Sequence, residues 1–109
     1  MKVSPITMNG ETLERLITVA DPQGLHMRPA AAFAKLARQF KSEVVVRRDD
    51  RRVNGKSQLD LMLLAAEPGA QLVLEVNGDD AVDALTALGG ILEITDWDSN
   101  DSADEPQTG

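Results

Sequence analysis

The residues best suited to chemistry lie in one short stretch, Gly24-Leu25-His26-Met27-Arg28-Pro29-Ala30. Histidine is a competent nucleophile, and much of it is neutral at pH 7. Arg28 carries a planar fork of N–H donors that matches the oxygens of a phosphate group. Pro29 suits the first turn of a helix, where the unpaired N–H groups favour an anion. The stretch therefore predicts a nucleophile beside a binding site for phosphate oxygens.

The composition excludes several other kinds of catalytic and metal-binding site. The 109-residue chain has no cysteine, which excludes disulfides, thiolate catalysis and thiolate metal ligands. His26 is the only histidine, so a metal held by several histidines is excluded as well.

The sequence also bears on location. No apolar run approaches the roughly 18 residues of a membrane-spanning helix. The first 20 residues lack the basic and then apolar layout of a signal peptide. We therefore expect a cytoplasmic protein without membrane contact.

Charge divides the chain into two unequal parts. Residues 1–66 contain all 11 basic side chains and seven acidic ones, whereas residues 67–109 contain 11 acids and no base. An acidic partner would dock on the basic part. The net charge of −7 argues against a general nucleic-acid-binding protein. The pairs Arg47-Arg48 and Arg51-Arg52 leave two interpretations: a solvated hairpin that discourages edge pairing, or a surface for an acidic partner or nucleic acid.

The elements that position His26 follow from the apolar patterns. Strands are predicted where β-branched or alternating apolar residues are bounded by turn signals, at 13–20, 43–48, 51–54 and 71–76. Helices are predicted where apolar residues recur at spacings of three and four, at 29–40, from Ser57 to Ala66, and at 79–92. The order β-α-β-β-α-β-α indicates an α+β domain with helices packed on a sheet.

The helix from Ser57 is predicted to bury one apolar stripe, made of Leu59, Met62, Leu63 and Ala66. The domain as a whole is assigned to residues 13–94. Residues 1–12 are predicted to be a flexible leader, because Pro5, Asn9 and Gly10 interrupt any pattern. Residues 95–109 hold five acids and Trp97, and they are predicted to be a disordered acidic tail. We assume a monomer.

The stretch from Gly24 to Ala30 resembles the active-site signature of the HPr family, the histidine-containing phosphocarriers of the phosphoenolpyruvate-dependent phosphotransferase system. A second motif supports the resemblance, since Asn54-Gly55-Lys56-Ser57 lies where that family has its regulatory serine. The element order agrees as well, over about 80 of the 109 residues. The resemblance implies an open-faced β-sandwich, with four antiparallel strands and three helices on one face.

The resemblance also implies a function. His26 would accept a phosphoryl group at ring Nδ1 from phosphorylated enzyme I and relay it to an enzyme IIA-type acceptor, while Arg28 neutralises the phosphoryl oxygens. Such a bacterial protein is a covalently phosphorylated carrier in sugar transport and its regulation, and it is not an enzyme that turns over a substrate alone. The resemblance also implies that the carrier needs no metal and no organic cofactor. Partner docking is predicted for four residues, Met27, Lys56, Leu59 and Met62. Core packing is the alternative for Leu59 and Met62.

Ser57 has two compatible roles. Its spacing to Asp60 is that of a capping box, so its hydroxyl is expected to cap the second helix. The resemblance adds phosphorylation by an HPr kinase/phosphorylase, which would place a charge of about −1.5 to −2 on the docking surface. Gln58 departs from the apolar residue that family members regulated in this way usually carry. The alternative function is a regulatory binding protein controlled at Ser57, without relay to sugar uptake.

Overall fold

The computed structural model describes residues 6–95, which form one sheet covered by helices. The sheet consists of five antiparallel strands, β1 (Ile6–Asn9), β2 (Thr12–Thr18), β3 (Glu43–Arg48), β4 (Arg51–Asn54) and β5 (Gln71–Asn77). Their order across the sheet is β1-β2-β5-β3-β4. The helices are α1 (Met27–Ala37), α2 (Gln58–Leu63) and α3 (Ala81–Leu92). The predicted α+β architecture is confirmed.

The sheet has one strand more than the four that were predicted. Residues Ile6–Asn9 fold back on β2 through a turn at Gly10 and Glu11, and Asn9 pairs with Thr12. The flexible leader predicted for residues 1–12 is therefore wrong for residues 6–12. All four residues of β1 are exposed, so no buried apolar pattern announces the strand in the sequence. Residues 1–5 and most of the predicted acidic tail, residues 96–109 with Trp97, lie outside the described residues.

The core lies between the sheet and the helices. Alternation along β3 and β5 places one set of side chains in it, namely Val44, Val46, Leu72, Leu74 and Val76. The stripe predicted for α1 faces them, with Ala30, Phe33, Ala34 and Ala37 fully buried. Helix α3 adds Leu85, Leu88 and Leu92. The helix-facing side of the sheet therefore supplies the rigid support on which α1 presents its N-terminus.

The stripe predicted for α2 is wrong. The buried residues are Leu61, in the helix, and Leu64 and Ala66, just beyond it, whereas Leu59, Met62 and Leu63 are exposed. Because α2 has six residues and Leu or Met at five of the positions 59–64, its apolar pattern is compatible with more than one buried face. Packing against α1 and the sheet selects the face that contains Leu61.

An arginine lies inside the core and was not predicted there. Arg15 is buried on the helix-facing side of β2, donates to the Leu85 carbonyl at 3.3 Å and pairs with Glu93 at 3.5 Å. Gly89 of α3 lies against the guanidinium group, and a Cβ at that position would collide with it. Gly89 therefore provides the space that Arg15 occupies.

Asp80 joins the start of α3 to the loop after α1. Its carboxylate accepts hydrogen bonds from the Ser42 hydroxyl at 2.5 Å and from the N–H groups of Lys41 and Ser42 at 2.9 and 3.0 Å. These hydrogen bonds hold the pKa of Asp80 below its usual value, and the bond from the Ser42 hydroxyl contributes most.

We expect Asp80→Asn to lower the free energy of unfolding at pH 7. A carboxylate with a lowered pKa in the folded state stabilises the fold above its unfolded pKa, and this contribution disappears as the pH falls through the folded pKa. The difference between wild type and variant should therefore shrink below about pH 4. Denaturant unfolding at a series of pH values measures it, with the exposed neighbour changed in Asp79→Asn as the control. A difference that stays constant down to about pH 2 would contradict the role of the charge.

Candidate functional site

A tight loop carries the chain from β2 to the start of α1. The Gly24 N–H donates to the Asp21 carbonyl at 2.9 Å, and the Leu25 N–H donates to the Ala66 carbonyl at 2.9 Å. The second bond ties the loop to the residues that follow α2. Gly24 has a φ of 77°, and a Cβ there would lie 2.5 Å from the Ala66 carbonyl oxygen. The backbone geometry before His26 therefore requires glycine.

His26 is the N-cap residue of α1. Its backbone is extended, and its side chain makes no capping hydrogen bond. The ring is 22% exposed, but its Nε2 atom is enclosed and has no hydrogen-bond partner among residues 6–95. The nearest carboxylate oxygen is Asp21 Oδ1, at 3.5 Å from Nε2. Because Nε2 is enclosed, the exposed surface of the ring belongs to its other atoms, which include Nδ1.

The start of α1 lies beside this ring. The first hydrogen bond of the helix joins the Ala30 N–H to the His26 carbonyl at 3.1 Å. Met27 and Arg28 follow His26 in the first turn, before this first hydrogen bond of the helix. They therefore present their N–H groups at the same end of the helix as the imidazole. Arg28 is half-buried two residues after His26. Chemically, this end of α1 combines a nucleophilic ring with helix-end N–H donors for an anion, and Arg28 belongs to the same helical turn.

Exposed apolar side chains lie at the start of α1 and along α2. Met27 is 59% exposed at the start of α1, and Leu59 and Met62 of α2 are 75% and 39% exposed. Core packing is therefore wrong for Leu59 and Met62. Sequence reasoning missed Leu63, which is 65% exposed on the same helix because α2 is turned differently from the prediction. The bond from Leu25 to Ala66 places the C-terminal end of α2 next to the His26 loop.

Lys56 and Ser57 lie at the opposite end of α1 from His26. The Lys56 ammonium donates to the Phe40 carbonyl at 2.9 Å, and Arg38 donates to the Lys56 carbonyl at 2.9 Å. Since the 11 residues of α1 span about 16 Å, the structure does not bring Lys56 or Ser57 together with His26 and Arg28. Both residues adjoin the N-terminal end of α2.

The predicted helix cap at Ser57 is confirmed. The Ser57 Oγ atom accepts a hydrogen bond from the Asp60 N–H at 3.2 Å. The Asp60 carboxylate accepts one from the Asn54 N–H at 3.4 Å. A negative side chain therefore already lies at this helix end beside the Ser57 hydroxyl.

The arginines of the β3–β4 hairpin are held by acceptors within the fold. Arg47 and Arg52 both donate to Glu75, each at 2.7 Å, on the face of the sheet opposite the helices. Arg51 donates to the Leu63 carbonyl at 2.8 Å. Arg48 donates to three acceptors near the end of α2, the carbonyls of Leu64 and Ala65 and the carboxylate of Glu67. These contacts give the four arginines structural roles and offer no support for the nucleic-acid interpretation.

The contact between Arg48 and Glu67 is charge-assisted and short, at 2.6 Å. The backbone N–H of Glu67 itself and the Arg48 guanidinium both lower the pKa of Glu67. The carboxylate therefore stays ionised under physiological conditions and keeps Arg48 beside the end of α2.

Residues 6–95, the part of the chain that the structure describes, also bear on metal binding and on membrane insertion. This part of the chain contains no group of three or more histidine or carboxylate side chains arranged to hold a metal ion. Nor does any helix in it have the length and apolar character needed to cross a membrane.

Comparison with known proteins identifies the family. A family model described as the PTS HPr component phosphorylation site matches residues 13–93. The chain belongs to the HPr family. Among its HPr relatives, the phosphocarrier protein HPr of Neisseria meningitidis is 44% identical over 80 residues, which are 73% of this chain and 90% of that protein. The HPr-like protein Crh of Halalkalibacterium halodurans is 37% identical over 81 residues, 74% and 96% of the two chains.

Solved HPr structures agree with the fold described above. The crystal structure of a phosphocarrier protein HPr from Bacillus anthracis superposes with a TM-score of 0.72 at 32% sequence identity. The match covers 77% of this chain and 99% of that one. The predicted HPr-like fold class is thereby confirmed, although the sheet described here has five strands.

Proposed function

We propose that this HPr family member is a phosphoryl relay protein. It accepts a phosphoryl group on Nδ1 of His26 from phosphorylated enzyme I and passes it to an enzyme IIA-type acceptor. The observation that supports this most directly is the position of the His26 ring at the N-terminus of α1. Its Nε2 atom is enclosed, so the exposed surface of the ring belongs to its other atoms. The proposal places the protein in the cytoplasm, as a carrier that completes no turnover alone.

The chemistry requires little beyond positioning and charge. The lone pair of Nδ1 forms the new P–N bond while the bond between phosphorus and the donor nitrogen breaks, and the electron pair of that bond returns to the donor. Charge on the phosphoryl oxygens is met by the helix-start N–H groups and by Arg28. Transfer to the acceptor runs through the same arrangement in the opposite direction. No metal or organic cofactor takes part on this chain.

Docking is assigned to the exposed apolar side chains of α1 and α2. Met27, Leu59 and Met62 form the proposed contact surface, to which Leu63 is added because of its exposure. Arg28 and Lys56 provide its charged margin, one near each end of α1. Exposed methionine and leucine side chains suit a surface that binds more than one partner, since methionine adapts to differently shaped neighbours.

The decisive experiment is incubation with phosphoenolpyruvate, magnesium and enzyme I, followed by intact-mass measurement. We expect one phosphoryl adduct on the wild-type protein, lost in mild acid, and none on His26→Ala. The variant should stay folded, because the His26 side chain makes no capping hydrogen bond; its circular dichroism and melting temperature verify this. An adduct on folded His26→Ala, or none on the wild type with its cognate enzyme I, would refute the proposal.

A regulatory binding role is the second candidate, and the similarity to Crh proteins favours it. The HPr-like protein Crh of Bacillus subtilis is 35% identical over 81 residues. In this role an HPr kinase/phosphorylase would phosphorylate Ser57, whose hydroxyl lies at the half-buried start of α2. The same mass measurement separates the two roles, since phosphoserine survives mild acid and would persist in His26→Ala. Phosphorylation of this kind without any adduct on His26 would favour the regulatory role.

A further inference from the structure

Asp21 is a buried carboxylate with an unusual position. Its residue is 4% exposed, and its Oδ1 atom accepts a hydrogen bond from the Gln23 N–H at 2.7 Å. The same oxygen lies 3.5 Å from His26 Nε2, the enclosed ring nitrogen. Buried polar atoms usually have a hydrogen-bond partner, and Asp21 Oδ1 is the acceptor that lies next to His26 Nε2. In the sequence, Asp21 is only the first residue of the turn pattern Asp-Pro-Gln-Gly, which does not indicate where its side chain lies.

We infer that Asp21 is a positioning residue for His26. Its carboxylate attracts the hydrogen on Nε2, which leaves the lone pair on Nδ1, the nitrogen that reacts in the proposed function. A neutral imidazole carries its hydrogen on one nitrogen only, so the group facing Nε2 decides which nitrogen is the nucleophile. Only the expected effect on the rate of phosphoryl acceptance rests on the proposed function; the expected tautomer of His26 does not.

The same contact acts again after transfer. When Nδ1 forms a bond to phosphorus and Nε2 keeps its hydrogen, no proton leaves the ring and the imidazole becomes a cation. The negative charge of Asp21 then lies 3.5 Å from the protonated nitrogen. In a site that is largely closed to water, such a contact is weakly screened. Asp21 therefore favours both the reactive tautomer and the phosphorylated ring.

A purely structural role for Asp21 makes a different prediction. The bond to the Gln23 N–H is a local turn contact, which a serine hydroxyl can replace. Serine is too short to reach the ring as well. Asp21→Ser therefore keeps the turn and removes the contact with His26, whereas Asp21→Ala removes both. Asp83→Ser, which removes an exposed carboxylate on α3, is the control for net charge.

Nitrogen NMR of the unphosphorylated protein tests the inference directly. His26 is the only histidine, so long-range 1H–15N correlations of a uniformly labelled sample report one imidazole. We expect the wild type and Asp83→Ser to show a dominant Nε2–H tautomer, with widely separated nitrogen shifts. The separation should narrow in Asp21→Ser and Asp21→Ala. A dominant Nδ1–H tautomer in the wild type, or unchanged shifts in Asp21→Ser, would overturn the inference.

The rate of phosphoryl acceptance provides the second readout. We expect Asp21→Ser to lower this rate about tenfold or more, by analogy with the groups that orient metal-ligating histidines, whose loss costs about 10–100-fold. The melting temperature of the variant should stay near that of the wild type. A wild-type rate in Asp21→Ser would overturn the positioning role. Failure of the wild type to accept a phosphoryl group would refute the relay alone, because the NMR measurement needs no enzyme I.

Discussion

Replacing Arg28 with alanine should slow phosphoryl acceptance by His26 by about 10²–10³-fold, the scale for loss of one donor to developing charge. Three negative oxygens surround the phosphorus during transfer, and in the proposed function the guanidinium of Arg28, two residues from the nucleophile, donates to them. Single-turnover measurements with phosphorylated enzyme I give the rate. Circular dichroism and thermal unfolding verify that the variant is folded at the temperature of the rate measurement.

Two comparisons isolate the role of the guanidinium. Lys35→Ala removes an exposed positive charge from the last turn of α1 and should leave the rate within about twofold, since exposed charges at that distance are screened. Arg28→Lys keeps the charge and removes the planar fork, so its rate should lie between those of the wild type and Arg28→Ala. Equal rates for Arg28→Ala and Lys35→Ala would show that Arg28 has no special part in the transfer.

Gly24→Ala is expected to have the largest effect on stability. An alanine in the left-handed region costs about 1–2 kcal/mol. Its Cβ would also lie 2.5 Å from the Ala66 carbonyl oxygen, which is backbone and is held by the Leu25 N–H. A total loss of about 3 kcal/mol in the free energy of unfolding corresponds to a fall of roughly 10–20 °C in the melting temperature of a domain this size.

Gly69→Ala is the matched control for this substitution. Gly69 also has a positive φ, 86°, but no atom lies within 4 Å of the position that a Cβ would take. The Gly69→Ala variant should lose only about 1 kcal/mol in the free energy of unfolding. Thermal unfolding of both variants separates the cost of a positive φ, which both share, from the cost of the contact with the Ala66 carbonyl oxygen, which only Gly24→Ala makes. Equal losses in the two variants would mean that the close approach of Gly24 to Ala66 has no energetic consequence.

Much of the fold follows from local signals that the sequence states clearly. The stripe of Ala30, Phe33 and Ala37 selects one face of α1, and the run from Val44 to Val46 specifies a strand. Pro29 indicates the first turn of α1, but the helix begins at Met27, two residues before the predicted start, so that His26 is its N-cap. The positions of His26 and Arg28 on the fold follow for the same reason, because the two residues lie at the start of one helix, whereas those of Lys56, Leu59 and Met62 depend on how α2 packs.

What the sequence could not predict depends on contacts between distant residues. The face that α2 buries is chosen by packing, since Leu and Met occupy most of its positions. Arg15 enters the core only because Gly89, 74 residues later, leaves space for it. Asp21 reaches the His26 ring through the fold of one turn, which the pattern Asp-Pro-Gln-Gly indicates without giving the direction of the side chain.

The bonds from Arg48 and Arg51 to the end of α2 couple the motions of two parts of the molecule. A helix of six residues is too short to persist alone, and here its last carbonyls are held by the β3–β4 hairpin. Opening of either part breaks the same bonds, so the two should exchange their amide hydrogens as one cooperative unit. A partner that binds the exposed face of α2 would then slow hydrogen exchange in a hairpin that it never touches.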